Sequence, residues 1–362
     1  GKAVALTQTG SYFANVGEMT IKTDGSIATR LISSYEGSDS VVEGIQTAWV
    51  ASVDDMLGEK IAASEINFYV TDPETGNRRI RTAETNLGDL ITDALVWGAE
   101  KEGTHVDAAV TNCGGIRASI AKGDITKKDI NTVLPFGNTL YVVKVTGAEL
   151  LEALEAASQA LPYGDASADA CASFMQAAGL TYSVNADQAY DKGEAYGKHW
   201  FKANSVSRVT ITDVNGKAFD PNATYAVITH NANFNGMDSS YVFKAAAEAN
   251  EKSAITKAVV RDVVWMYISE ELGNVVGDAY AAPQGRITVT ATAAPAESAK
   301  PGQSATTTEN GTYTVVSGDS LWKIASKVYG SGKLWSKIFS ANPQIKDAAM
   351  IYVGQTLTVP AK

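Results

Sequence analysis

The chain has few of the residues that carry metal and redox chemistry: three histidines (His105, His199 and His230) and two cysteines (Cys113 and Cys171) in 362 residues. No two histidines stand at metal-ligand spacing, and no Asn-His-Asp or His-x-His cluster of the kind a dimetal hydrolase needs is present. Each histidine therefore reads as a polar surface or strand-end residue. There is no Gly-x-Ser-x-Gly elbow, no P-loop and no cysteine beside a histidine, so the common nucleophile arrangements are excluded. No apolar run reaches about 18 residues, and no membrane span is expected. Positive charge is also short, with 30 Lys and Arg against 40 Asp and Glu. A net charge of −10 excludes a general nucleic-acid binder, whose surface has to neutralise phosphates. The first residue is Gly1 and no signal peptide is visible, so the chain is expected to be a mature product or a fragment.

The remaining composition, 45% apolar and 19% charged, is that of a globular protein, and the length suggests two or three domains. The acidity is uneven. Residues 311–362 hold six lysines against Asp319 and Asp347, a net of +4, while residues 288–310 contribute −1 and leave −13 for residues 1–287. The two cysteines leave two readings open: a pair of buried thiols, or a disulfide, which implies an oxidising compartment.

Along the chain, Ala3–Thr7 and Gly17–Ile21 read as short strands with too little mass for a core. Val42, Ile45, Trp49, Val53 and Leu57 recur at helical spacing, which predicts a connecting helix over 41–57. Leu87, Leu90, Ile91, Ala94 and Leu95 predict an amphipathic helix over 86–100, capped by Thr85 or Asn86. Thr146 and Glu149 have capping-box spacing ahead of a helix to about Ser158. Strands are predicted over 140–145, 179–184, 206–212 and 225–229, and a helix over 255–272. This interleaving predicts an α/β or α+β fold of layered sheets. An Ala/Thr/Ser/Pro-rich stretch from Thr288 to Asn310 reads as a flexible linker.

One stretch stands out for chemistry. The apolar run Val106–Val110 leads into Thr-Asn-Cys-Gly-Gly-Ile-Arg at 111–117, a strand that ends in a glycine turn. Gly114 and Gly115 would permit positive φ and a close backbone approach, and Arg117 adds a planar charged fork. Taken alone, the turn reads first as a plain tight turn and second as a candidate anion site.

Further stretches carry a family resemblance: RTAETNLGDLITDA at 81–94, DAAVTNCGGIRASIAKGDIT at 107–126, LPFGNTLYVVKVTGAELL at 134–151, QAAGLTYSV at 176–184, and 225–243. Together they resemble the C-terminal, substrate-binding domain of 5'-nucleotidases and UDP-sugar hydrolases. The resemblance spans residues 41–288 and implies a four-layer α/β domain that holds a nucleotide or nucleoside between loops. By position, it implies that Arg81 and Arg117 hold phosphates and that Asn112 opens the glycine turn with Gly114 and Gly115. It further implies that Phe136 stacks on the base beside Gly137 and Asn138, and that Asp238 accepts hydrogen bonds from ribose hydroxyls. Guanidinium forks suit phosphates, a carboxylate suits a vicinal diol and a flat ring suits a base. Two departures are visible. The family's second base-stacking aromatic is Ala232 here, with Phe234 near enough to substitute, and its third turn glycine is Cys113, which a bond to Cys171 would pin.

In this family catalysis belongs to an N-terminal metallophosphatase domain with two metal ions. Residues 1–40, through AVALTQTGSYFANVGEMTI, resemble the end of that domain. The chain alone is therefore expected to bind no metal cofactor and to be inactive, the divalent ions belonging to the missing catalytic part. After the linker, 289–311, residues 312–361 resemble a βααβ LysM module through YTVVSGDSLWKIASKVYG, LWSKIFSANPQI and IYVGQTLTVP. LysM modules bind N-acetylglucosamine in peptidoglycan or chitin. The resemblance places the groove at Gly318, Asp319 and Ser320 in one loop and Ala341, Asn342, Pro343 and Ile345 in another. The expectation is the nucleotide-binding and wall-anchoring portion of a secreted, cell-wall-associated hydrolase. The alternative is a non-catalytic, wall-attached binding or adhesion protein on the same fold.

Overall fold

The structure is a computed structural model that describes residues 7–9, 15–33, 37, 39–71, 78–161, 172–197, 199–249, 253–291, 307–308, 311–315, 321–329, 334–343, 345 and 355–360. It divides into two compact units, Gly1–Thr292 and Ala293–Lys362.

At the centre of the first unit is a five-stranded sheet in the order Ser253–Val259, Thr139–Thr146, Thr224–His230, Ala108–Asn112, Met175–Ala178. Thr224–His230 and Ala108–Asn112 run parallel, and every other neighbouring pair is antiparallel. All five residues of Ala108–Asn112 are buried. Successive strand side chains point to opposite faces, so both faces of the sheet are covered here. The Asn86–Lys101 helix packs on Ala108–Asn112 and Met175–Ala178, and the Gly147–Ala157 and Tyr241–Ala249 helices pack on Thr139–Thr146 and on each other. Two further sheets complete the layers: Lys217–Ala218, Val209–Val214, Leu180–Asn185 and Ile287–Thr290 in one, and Val275–Val276, Lys60–Ser64 and Gly123–Thr126 in the other. The mixed, layered α/β class read from the sequence is the one observed.

Local signals act where they were read. Leu87, Leu90, Ile91, Ala94 and Leu95 form the buried stripe of the Asn86–Lys101 helix, and Thr85 accepts the Gly88 N–H at 3.1 Å as its cap. Thr146 and Glu149 form the reciprocal capping box, and Thr126 and Asp129 form another ahead of the Lys127–Val133 helix. The helix predicted over 255–272 is a correction. Ser253–Val259 is an edge strand paired with Thr139–Thr146, and the helix runs only over Val260–Met266 before a wider π-type turn at Tyr267–Glu271. Short apolar runs are ambiguous between the two periods, and the open backbone edge of Thr139–Thr146 decides for strand. The Ser40–Leu57 helix forms with Asp39 as its cap but buries none of its residues, Trp49 being 68% exposed. Val16–Ile21 pairs with Ile27–Ile32, whereas residues 3–6 of the first predicted strand lie outside the described residues.

Buried acids tie the segment before the last body strand to the start of the Asn86–Lys101 helix. Glu84 accepts the Arg286 N–H at 3.0 Å and the Ile287 N–H at 2.9 Å, and Asp89 accepts the Gln284 N–H at 3.1 Å. Asp89 is fully buried, and burial together with the charge of Glu84 pushes its carboxyl up to about 8, against a smaller opposing effect from Arg286.

The second unit has the βααβ order expected of it. Thr312–Thr314 pairs antiparallel with Thr356–Thr358 and with Thr307–Thr308, and the Leu321–Tyr329 and Trp335–Ser340 helices pack against each other. Its core holds Tyr313, Leu321, Ile324, Ile338, Ile345 and Leu357. Asn342 is fully buried: Oδ1 accepts the Thr358 N–H at 2.8 Å, and Nδ2 donates to the carbonyls of Ile338 at 2.6 Å and Thr358 at 2.7 Å. Most of the predicted linker lies outside the described residues, although its Thr307–Thr308 is a paired strand.

A carboxyl whose folded pKa is raised contributes stability that is complete below its unfolded value near 4 and is lost as pH rises through about 8. Asp89→Asn keeps a neutral group there, so its stability relative to wild type is expected to rise between about pH 4 and 8 and to level off above that in denaturant unfolding. Asn342→Ala removes three backbone partners and is expected to cost the small unit about 2 kcal/mol, read as roughly 30-fold faster hydrogen exchange at the Thr358 amide.

Candidate functional site

The sheet brings three loops to one end. Thr224–His230 and Ala108–Asn112 are parallel and Thr139–Thr146 is antiparallel, so the chain leaves the first two strands and enters the third at the same edge. Ligands of α/β sheets commonly sit outside the carboxyl ends of parallel strands. Here the Cys113–Gly115 turn, the loop before Thr139 and the Asn231–Asp238 segment surround a cavity of about 180 Å³. Its lining includes Arg81, Asn112, Gly114, Gly115, Arg117, Phe136, Asn138 and Asp238, together with Ala172, His230 and Met237.

Each side chain is placed by local structure. Arg81 closes the short helix Arg79–Arg81 and is only 5% exposed. The carbonyls before and after it are held by Gln176, whose Nε2 donates to Ile80 O at 3.1 Å and Ala83 O at 2.9 Å, while its Oε1 accepts the Thr85 N–H at 3.0 Å. Arg117 is partly exposed, and its Nη1 donates to Gly114 O at 3.1 Å, which folds the guanidinium back over the turn. A buried guanidinium close to a partly exposed one makes an environment in which an anion offsets desolvation. Phe136, 48% exposed, and Met237, 52% exposed, give the cavity two open apolar surfaces.

The glycine turn differs from its expected geometry in one respect. Neither Gly114 nor Gly115 has a positive φ. Gly114 is required by crowding: a Cβ there would lie 2.9 Å from the Ala172 Cβ and 3.1 Å from Asn112 Nδ2. A Cβ on Gly115 would meet only Asn112 Oδ1, at an ordinary 3.6 Å.

Asn112 is the hub of the site. Its Nδ2 donates to Asp238 Oδ2 at 3.1 Å and to Ala172 O at 3.3 Å, so its Oδ1 faces His230 Nε2 at 2.9 Å. Two acceptors on one side of the amide fix its orientation, and His230 must then carry its proton on Nε2. His230 is 2% exposed, and burial lowers its pKa to about 4, so the ring is neutral at neutral pH. Asp238 sits at φ +55, a left-handed conformation that is uncommon outside glycine and that turns its carboxylate towards Asn112. Behind it, Tyr196 Oη donates to Gly236 O at 2.8 Å.

Most residues selected from the sequence therefore meet in one cavity, but some do not. Phe234 is a correction: it is buried in the core edge-on to Tyr141, with ring centroids 5.5 Å apart, and does not line the cavity. The reason is that Asn231–Phe234 forms a helical turn that directs Phe234 back onto the sheet. Ala232 is buried too, and Gly137 is not in the lining. Met237, His230 and Ala172 were missed. His230 was legible only as a strand-end histidine, since nothing local reports that the neighbouring strand ends in Asn112. Cys171 lies outside the described residues, so its pairing with Cys113 does too; Cys113 itself is buried with Sγ 3.4 Å from Ala172 O. Among the described residues, no group of three or more His, Cys, Asp or Glu gathers in a way that could hold a metal ion.

In the second unit, Gly318, Asp319 and Ser320 lie outside the described residues. Of the other groove candidates, Asn342 and Ile345 are buried and turn their side chains into the core, Ala341 is half-buried and Pro343 is exposed. A groove on this loop would therefore use backbone groups and Pro343 rather than the Asn342 amide.

Residues 61–248, 188 of the 362, match the family model described as 5'-nucleotidase, C-terminal domain, and residues 313–360 match the LysM domain. The trifunctional nucleotide phosphoesterase protein YfkN of Bacillus subtilis is 31% identical over 226 residues, covering 62% of this chain and 14% of that protein. The cell wall protein Lmo0130 of Listeria monocytogenes is 29% identical over 246 residues, covering 66% of this chain and 28% of that one. Among solved structures, a 5'-nucleotidase precursor from Thermus thermophilus superposes with a TM-score of 0.54 at 28% identity, covering 76% of this chain and 50% of that one. The chain thus spans half or less of the length of each of these proteins. With more than half of its residues in the matched segment, it belongs to the 5'-nucleotidase C-terminal domain family and carries a LysM domain after it.

Proposed function

We propose that this chain is the nucleotide-binding and wall-anchoring portion of a secreted 5'-nucleotidase or UDP-sugar hydrolase. The observation that carries the reading is the convergence of Arg81, Arg117, Phe136 and Asp238 on one cavity at the carboxyl ends of the two parallel strands. In this reading the two guanidinium groups take the phosphate, the open ring of Phe136 stacks on the base, and the Asp238 carboxylate accepts hydrogen bonds from the sugar hydroxyls. The chain's own contribution to hydrolysis is binding and orientation, which lower the entropic part of the barrier. Bond cleavage is assigned to divalent metal ions outside these residues, in the additional length by which the relatives exceed this chain. Such ions supply an activated water and polarise the phosphoryl oxygens. Among the described lining residues Phe136 is the single aromatic, which supports a weaker grip on the base than a ring on each face would give.

The second unit is assigned to N-acetylglucosamine polymers such as peptidoglycan. Its match to the LysM domain supports this, as does the similarity of 66% of the chain to a protein named for the cell wall.

Calorimetric titration of the chain with AMP is expected to show saturable binding. Arg117→Ala is expected to weaken it at least tenfold, since a charge-assisted hydrogen bond contributes about 1.5–3 kcal/mol. No binding of AMP or UDP-glucose above background would instead favour the non-catalytic adhesion reading. With divalent metal added, the chain by itself is expected to release no phosphate from AMP, and sustained metal-dependent release would overturn the assignment of chemistry to residues outside it. The full chain is expected to sediment with purified peptidoglycan and a chain ending at Thr292 to remain in solution; equal sedimentation would remove the anchoring role.

A further inference from the structure

Three polar side chains run in series from the core to the cavity: His230, Asn112 and Asp238. His230 Nε2 stands 2.9 Å from Asn112 Oδ1, and Asn112 Nδ2 stands 3.1 Å from Asp238 Oδ2. His230 and Asn112 are buried and end neighbouring parallel strands, whereas Asp238 sits on the loop at φ +55. An asparagine amide has two faces of opposite polarity. Its NH₂ attracts a carboxylate and its oxygen repels one, so the same side chain either holds Asp238 in place or drives it away, depending on a half-turn of the amide. Flipping the amide would set its oxygen against both Asp238 and Ala172 O, and would turn its NH₂ towards the imidazole, which could receive it only by moving the ring proton from Nε2 to the buried Nδ1. The other imidazole nitrogen, Nδ1, is buried and has no hydrogen-bond partner among the described residues, so a proton moved there would be left without an acceptor and the Nε2–H form is favoured.

We propose that His230 is a positioning residue for sugar recognition: by donating its Nε2–H to Asn112 it fixes the amide so that Asn112 holds the Asp238 carboxylate in place for ligand hydroxyls. The proposal rests on the nucleotide reading of the cavity. His230 touches no reacting atom, and its effect passes through Asn112. A histidine that merely filled space would, on removal, weaken every ligand of the cavity alike. A histidine that orients Asp238 weakens only the part of binding that depends on the sugar hydroxyls.

The test compares AMP with 2',3'-dideoxy-AMP, which keeps base and phosphate but offers Asp238 no hydroxyl. Wild type is expected to prefer AMP about tenfold or more, the worth of a hydrogen bond to a carboxylate. His230→Phe, which keeps a ring without the donor, and His230→Leu, which is apolar and open-chain, are expected to bind the two ligands almost equally while retaining affinity for the dideoxy compound. His230→Gln places an amide N–H near the position of Nε2 and is expected to restore the preference to within about threefold of wild type. A preference unchanged in the two donor-free variants, or an equal loss of both ligands in folded protein, would overturn the proposal. Nitrogen NMR of the wild-type chain without ligand gives a readout that needs no variant to fold: the Nε2–H tautomer of His230 is expected, and an Nδ1–H tautomer would also overturn it. A wild-type chain that binds no AMP defeats the nucleotide reading and with it the sugar role, whichever tautomer is found; binding with an unaltered preference in the variants defeats the relay alone.

Discussion

The site depends on one register. Ala108 and Ala109 pair with Val227 and Ile228 in the parallel ladder, which carries the ends of the two strands, Asn112 and His230, to the same edge of the sheet. A slip of one residue would turn Asn112 to the opposite face, because strand side chains alternate. With the register kept, the glycine turn and the Asn231–Asp238 segment emerge side by side, and the antiparallel Thr139–Thr146 strand brings Phe136 in from the third direction. Hydrophobic cover on both faces of Ala108–Asn112 holds the register, since exposing either face would lose buried apolar surface.

Around this frame the interior contains more polar geometry than a core needs for stability. The Gln176 amide bridges Ile80, Ala83 and Thr85, and so fixes the backbone on both sides of Arg81. Glu155 accepts the Arg208 and Val209 N–H groups at 2.9 Å each, while the Arg208 guanidinium donates to the carbonyls of Ser158 and Leu161 beyond the end of the Gly147–Ala157 helix. Asn342 does comparable work in the small unit. Buried amides and charges contribute little net stability compared with apolar groups of the same shape, but they tolerate few alternative arrangements. Loops that carry a binding site are thereby anchored in the core rather than left to their own conformational preferences.

How much of this was legible depends on distance along the chain. The Asn86–Lys101 helix, its Thr85 cap and the Thr146–Glu149 capping box follow from residues three or four apart, and they appear where the spacing puts them. Arg81, Asn112, Arg117, Phe136 and Asp238 were found through motifs spread over more than 150 positions, because a family resemblance carries long-range information that spacing does not. Phe234 shows where that stops. The sequence placed an aromatic close to the expected position, but a single helical turn sends it to the core beside Tyr141. The Ser253–Val259 strand shows the same limit in the fold: its apolar pattern suited a helix, and the unpaired edge of another strand decided otherwise.

By itself the sequence determined the order of a 5'-nucleotidase C-terminal domain before a LysM domain, the mixed α/β class, the helix caps and the identities of the charged and aromatic residues at the cavity. These depend on local periodicity, on side-chain chemistry and on motif order, all of which are written along the chain. Only the tertiary structure decided that His230 reaches Asn112, that Met237 rather than Phe234 lines the cavity, that Gly114 is required by Ala172 and not by its φ, and that Asn342 serves the core. Each of those outcomes is a contact between segments far apart in sequence, set by strand register and close packing, and no local pattern encodes it.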